Sequence, residues 1–171
     1  MQRIRDVIRD TATPSWINSV PYNFGDAAAG VIKADEWRTL STIYLPLALV
    51  SIWGEGTSHP STDIATQLRR VLDHSMALVC AITLACTKTM SLARATAFRD
   101  YLATYIKNLQ DILPGATHRP NQHMAMHIYD FLRLFGPVYS WWCFPFEHLI
   151  GQLQRMTNNH KFGKLFSLGC D

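Results

Sequence analysis

The residue best suited by type and position to take part in a reaction is Glu147, in the segment Pro145–Gly151, PFEHLIG. Pro145 suits the first position of a helix, so the carboxylate falls in the first helical turn. There the helix dipole stabilises it, typically by a few tenths of a kcal/mol to about 1 kcal/mol. It can also pair with an arginine, or act as one of the carboxylates that hold two Mg²⁺ ions in a nuclease-type site. The residue alone leaves these three interpretations open.

A second group of residues that could bind a ligand is His123, His127 and Asp130, spaced i, i+4 and i+7 on one helix face. Two such histidines can hold a metal ion, with the aspartate as a third ligand. The alternative is a helix that enters a core with two hydrogen-bonded histidines. Neither an HExxH glutamate nor a cysteine pair accompanies them.

Aromatic and basic residues in the last third bear on nucleic acid. Trp141 and Trp142 can stack on bases, although their neighbours Phe144 and Phe146 also favour a place in the core. The densest basic group is Arg155, Lys161 and Lys164, together with His160. Three phosphate contacts predict DNA binding that is weak and non-specific.

Composition limits the function classes further. The chain has 171 residues, of which 48% are apolar and 17% charged, and its net charge is +3. This length suits one domain with a real core. Low charge predicts a folded chain that also exposes apolar surface, either for a protein partner or for a missing part of a larger protein.

Four cysteines without a CxxC pair favour neither a zinc ribbon nor a redox motif and indicate a reducing, intracellular compartment. The charged N-terminal residues do not resemble a secretory signal. The apolar run Met76–Cys86 is about half of a membrane span, so we expect a buried helix and no membrane partner.

The elements that must position these residues are helical. Apolar residues three and four apart predict helices over residues 1–10 and 33–53, the latter split by Pro46 near Tyr44. Two long helices, from Ser61 or Thr62 and from Ser91, should pair across Thr87–Met90. Their expected facing residues are Leu68, Val71, Leu78 and Ile82 against Phe98, Leu102, Tyr105 and Leu109.

Two further helices follow. The first begins at Pro120, with Met124, Ile128, Phe131 and Phe135 on one face, and the last buries Phe146, Leu149, Ile150 and Leu153. The predicted fold is therefore mainly α, with five or six helices, a long central antiparallel hairpin and little or no sheet. The expected divisions are an N-terminal tail or short helix at 1–13, one helical domain at 14–163 and a tail at 164–171.

Three segments together resemble a known family. They are PSWINSVPYNFGDAAAGVIKADEWRTL at Pro14–Leu40, YLPLAL at Tyr44–Leu49, and RPNQHMAMHIYDFLRLFGPVYSWWCFPFEHLIGQLQRMTNNHKFG at Arg119–Gly163. They are similar to the C-terminal part of eukaryotic cut-and-paste transposases of the CACTA and Kyakuja–Dileera–Zisupton kind. The shared pattern is a histidine-containing helix, a Gly-Pro turn, an aromatic run, a Pro-Phe-Glu helix start and an Asn-rich basic end.

The resemblance implies an RNase H-like parent fold with three catalytic carboxylates and Mg²⁺, in which Glu147 matches the last acid. His148 stands where the family usually has arginine. The first two acids and their strand-rich core have no counterpart here, so the resemblance implies a transposase fragment or transposon-derived protein. Such a chain would be nuclear, free of a cofactor and catalytically inactive alone. The alternatives are a helical protein-interaction module and a His/Asp metal-binding protein.

Overall fold

A computed structural model describes residues 1–17, 19–54 and 62–155. Within these ranges the chain is mainly α-helical and contains no strand, which confirms the predicted fold class. The helices are α1 (Gln2–Asp10), α2 (Ala34–Thr39), α3 (Leu45–Trp53), α4 (Thr62–Ala85), α5 (Leu92–Ile112), α6 (Pro120–Phe135) and α7 (Phe144–Arg155). Short 3₁₀ turns lie at Ala27–Ala29 and Val138–Ser140.

The chain divides into two compact units. The first is Met1–Trp141, which holds α1 to α6, and the second begins at Trp142 and holds α7. Two separate apolar clusters stabilise the first unit.

The N-terminal cluster joins α1 to the helices that follow it. Its buried members are Val7, Ile8, Val20, Leu40, Tyr44 and Ala48. Arg5 of α1 holds the loop between α1 and α2 in place. Its Nε donates to the Phe24 carbonyl oxygen (2.9 Å), and its Nη2 forms a salt bridge with Asp26 (2.5 Å). The loop's aromatic residues divide, since Phe24 packs against the cluster and Trp16 is 82% exposed.

Pro46 interrupts the second helical stretch as predicted. α2 and α3 are joined by a π turn over Leu40–Tyr44, in which the Leu45 N–H donates to the Leu40 carbonyl oxygen. Pro46 has no N–H to continue the ordinary ladder, and a single wider turn is the usual way to absorb such a break. The helix therefore splits next to Tyr44.

The central hairpin is also present. α4 and α5 pack together across a short connection, and the Ser91 side chain caps α5 by accepting a hydrogen bond from the Arg94 N–H (3.3 Å). The predicted cap of α4 at Ser61 or Thr62 lies outside the described side chains.

The residues that build the hairpin interface differ in part from the prediction. Phe98, Leu102 and Leu109 are buried on α5 as expected. Two more predicted residues, Leu78 and Tyr105, pack against the same cluster. The buried members of the cluster on α4 are Ala81 and Ala85, whereas Leu68, Val71 and Ile82 are only half-buried. Small side chains let two helices approach closely, so the two alanines lie at the centre of this cluster and Leu78 and Leu84 pack around it.

α6 packs on the same cluster through a face next to the predicted one. Leu132 is 1% exposed, and Ala125, Ile128 and Tyr129 pack around the cluster. Of the expected face, only Ile128 turns inward, whereas Met124, Phe131 and Phe135 are 61%, 42% and 59% exposed. The apolar arc of α6 is wider than its contact, so spacing alone could not select the buried side.

α7 begins at Phe144, one residue before the predicted first position at Pro145. Its expected buried face is not buried, because Phe146, Leu149, Ile150 and Leu153 are each at least half exposed. That part of the prediction is wrong.

Candidate functional site

The two predicted histidine ligands lie side by side on α6. Their Nε2 atoms are 3.3 Å apart, their ring centroids are 5.0 Å apart, and the rings are nearly perpendicular. Both side chains are exposed, so an ion reaches them from solvent without opening the fold.

This separation suits a shared metal ion. Zn–N bonds are about 2.0–2.1 Å long, and two of them at a tetrahedral angle place their nitrogens roughly 3.3–3.4 Å apart. Without metal, one nitrogen donates its proton to the other, and the tautomers of the two rings decide the direction. The pair therefore offers two ligands in a geometry that zinc uses.

The third predicted ligand is Asp130, an exposed residue in the same helix. Among the described residues, no group of three or more His, Cys, Asp or Glu side chains is arranged to hold a metal ion. The structure thus brings His123 and His127 together and leaves Asp130 outside a three-ligand group.

Glu147 is the fourth residue of α7. This position places its peptide unit in the first helical turn, where the helix dipole favours a negative charge. The side chains of Glu147 and His148 lie outside the described part of the structure, and the role of Glu147 as a last acid stays a prediction.

The basic residues predicted to contact nucleic acid belong to the end of the chain. Arg155 is the last residue of α7, and its side chain is not among those described. Lys161 and Lys164 lie outside the described residues.

Trp141 takes the core alternative. It packs edge-to-face on Phe131 with ring centroids 5.6 Å apart, and its Nε1 donates to the Gly136 carbonyl oxygen (3.2 Å). It also packs against the cluster that contains Leu132. These contacts occupy the indole in the fold and account for it without bases.

A site that the sequence analysis missed surrounds His74 on α4. The residue is 7% exposed, and neither ring nitrogen has a hydrogen-bond partner. Its ring stacks on Tyr105 of α5 with centroids 4.5 Å apart and an interplanar angle of 22°. Burial lowers the pKa of His74 below its usual value near 6.5, so the imidazole is neutral at pH 7.

His74 lines a cavity of about 210 Å³ between α4, α5 and the α2–α3 stretch. Most lining residues are apolar: Leu45, Leu49, Leu78, Val79, Ile82 and Leu113. The polar ones besides His74 are Ser41, Ser75 and Tyr105. A histidine within an otherwise apolar helical pattern was the available indication in the sequence, but spacing does not show whether such a residue finds a partner.

Cys86 has the opposite character to a reactive thiol. Burial raises its pKa, and the nearby Arg38 only partly opposes this. Since the thiolate is the nucleophile and the metal ligand, Cys86 is chemically quiet at neutral pH. Cys80, Cys86 and Cys143 are all free thiols.

Comparison with known proteins gives no family for the chain: no family model, curated protein or solved structure matches it. Among the described helices, none is both long and apolar enough to span a bilayer.

Proposed function

We propose that this chain is transposon-derived and corresponds to the helical insertion and last-acid helix of a transposase. The supporting observation is the position of Glu147, which falls in the first turn of α7 after a unit built only of helices in its described part. The resemblance of the sequence implies this same order of elements. The proposal assigns Glu147 as the residual member of a carboxylate set.

Under this proposal the isolated chain does not cleave DNA. Two-metal chemistry needs at least two carboxylates that hold both ions in line with the scissile phosphate. In the transposase family that the sequence resembles, the other two acids lie on strands. The described residues of this chain contain no strand. Mg²⁺ is then a cofactor of the parent enzyme and not of this chain.

The genomic neighbourhood of the gene tests the origin directly. We expect terminal inverted repeats on both sides and a nearby reading frame that encodes two aspartates in strand context. A gene flanked by neither, in the same place in related genomes, would reject a transposon origin.

A metal-binding function is a second candidate, and the 3.3 Å spacing of the His123 and His127 nitrogens favours it. Zinc, copper or nickel suit imidazole ligands. With two protein ligands the remaining positions belong to water, so we expect a surface site that strengthens α6 and not a buried structural zinc.

A protein-interaction function is favoured by α6 as well. Met124, Leu134 and Phe135 are 61%, 72% and 59% exposed, in one unit with its own core. Large apolar side chains exposed on one helix are a surface that a protein partner would cover. Capture of a defined partner that is lost in Leu134→Glu, with an unchanged melting temperature, would support this function.

A further inference from the structure

The imidazole of His74 has hydrogen-bonding capacity that the fold leaves unused. A neutral imidazole carries one N–H donor and one acceptor nitrogen, and both nitrogens are buried without a partner. Buried polar groups in native proteins are nearly always paired. Because the ring lines the cavity, a turn of the imidazole would bring one of these nitrogens within reach of a molecule that occupies it.

The lining of the cavity defines the chemistry of that partner. Its walls are mostly aliphatic, and no Asp, Glu, Lys or Arg side chain lines it. A charged ligand would lose its hydration there without gaining an ion pair. Ser75 is already satisfied, because its hydroxyl donates to the Val71 carbonyl oxygen (2.8 Å). The occupant is therefore an uncharged molecule with a mainly apolar body.

The size of the cavity narrows the class further. An engineered apolar cavity of about 150 Å³ binds benzene in another protein. A cavity of about 210 Å³ leaves room for a six-membered ring and one or two small substituents.

We propose that this cavity binds a neutral, ring-sized organic molecule with a single hydroxyl or N–H group, and that His74 forms the hydrogen bond that selects it. Neighbouring atoms cover both ring nitrogens, so the bond requires a turn of the imidazole towards the cavity. This turn gives up part of the stacking on Tyr105. The inference does not depend on a transposase origin.

The test compares two probes of equal size on the full chain. Para-cresol carries a hydroxyl where para-xylene carries a methyl group. Binding is followed by calorimetry and by the methyl NMR resonances of Leu45, Leu78 and Ile82. Since one net hydrogen bond contributes about 0.5–1.5 kcal/mol, para-cresol should bind roughly 2- to 10-fold more tightly.

A variant separates the hydrogen bond from the cavity. His74→Phe keeps a ring above Tyr105 and removes both nitrogens, so the preference for para-cresol should disappear. The matched control, His118→Phe, changes an exposed histidine and should retain the preference. If His74→Phe does not fold, the imidazole ¹⁵N resonances of the unaltered chain replace it, and they should shift with para-cresol only.

Two results would overturn the inference. If neither probe perturbs the three methyl groups at millimolar concentration, the cavity binds no such molecule. If both probes bind equally to the unaltered chain and leave the His74 nitrogens unshifted, the histidine does not select the ligand.

Discussion

Replacing His74 with phenylalanine should stabilise the ligand-free chain. An aromatic ring remains above Tyr105, where the imidazole lies 4.5 Å away and nearly parallel. The change removes two buried nitrogens that have no partner. The adjacent cavity provides space for the slightly larger ring.

The size of the effect follows from the cost of unpaired polar groups. A buried donor or acceptor without a partner costs about 1–3 kcal/mol. Removing both nitrogens recovers this free energy, but accommodating the larger phenyl ring offsets part of it. We therefore expect the free energy of unfolding to rise by about 1–3 kcal/mol in total. For a chain of this length that corresponds to a rise in Tm of roughly 2–12 °C.

The pH dependence adds a second, independent expectation. Because burial lowers the pKa of His74 in the folded state, the unfolded chain binds more protons once the pH falls below about 6.5. The unaltered chain therefore loses stability from about pH 6.5 down to the folded-state pKa, by at most about 1.4 kcal/mol per pH unit. Tyr105 is the other titratable residue among those that line the cavity.

Urea unfolding of both chains at pH 7.5 and 5.5 measures both effects. The stability difference in favour of His74→Phe should be larger at pH 5.5. His118→Phe, at an exposed position, should stay within about 0.5 kcal/mol of the parent. A less stable His74→Phe would show that the His74 nitrogens are not a cost to the fold, and an equal difference at the two pH values would show that His74 is not neutral because of burial.

Four further expectations can be checked with the purified chain. Leu102→Ala removes a side chain that is 5% exposed in the hairpin interface and should cost about 2–5 kcal/mol in urea unfolding, whereas Leu92→Ala at a 65% exposed position should cost far less. With Mg²⁺ or Mn²⁺ the chain should not nick supercoiled DNA, and nicking that disappears in Glu147→Gln would contradict this. DNA binding should be non-specific, with a log–log salt slope of roughly −2 to −3 for three phosphate contacts; a sequence-specific complex at nanomolar protein and physiological salt would argue against it. Zn²⁺ should raise Tm through His123 and His127 while Mg²⁺ does not, and an unchanged zinc effect in His127→Ala would exclude that pair.

The sequence predicted the helices well because their determinants are local. Pro46 cannot donate a backbone hydrogen bond, so the break next to Tyr44 follows from one residue. Ser91 offers the usual N-cap oxygen, and α5 begins after it. Neither inference required knowledge of the rest of the chain.

Tertiary contacts explain what spacing could not predict. Met124 and Leu132 both belong to the apolar arc of α6, yet they are 61% and 1% exposed, and the choice between them depends on where α5 lies. Ala81 and Ala85 carry little apolar surface, so a prediction from hydrophobic spacing favours Leu68 as the interface residue. In the structure the two alanines are buried there because small side chains let the helices pack closely.

In the candidate sites, too, some features follow from local sequence and others from tertiary contacts. The closeness of His123 and His127 follows from the i, i+4 geometry of any helix, and the sequence predicted it. The isolation of His74 results from three elements that meet around it, namely α3, α4 and α5. The sequence around His74 alone could not predict that these three helices pack around it.

The presence of two apolar clusters in one unit has a consequence for the order of folding. The cluster around Phe98 and Leu102 forms mostly between helices that are neighbours in sequence, so little chain entropy is lost before its contacts form. The cluster around Val7 and Leu40 must first close a longer, irregular loop. We therefore expect amide hydrogens of α4 and α5 to exchange only through global unfolding, and those of α1 to exchange through an earlier partial opening. Ala48 of α3 belongs to this cluster and Leu45 packs against it, and Leu45 also lines the cavity, so a partial opening that extends to α3 would open the cavity to solvent.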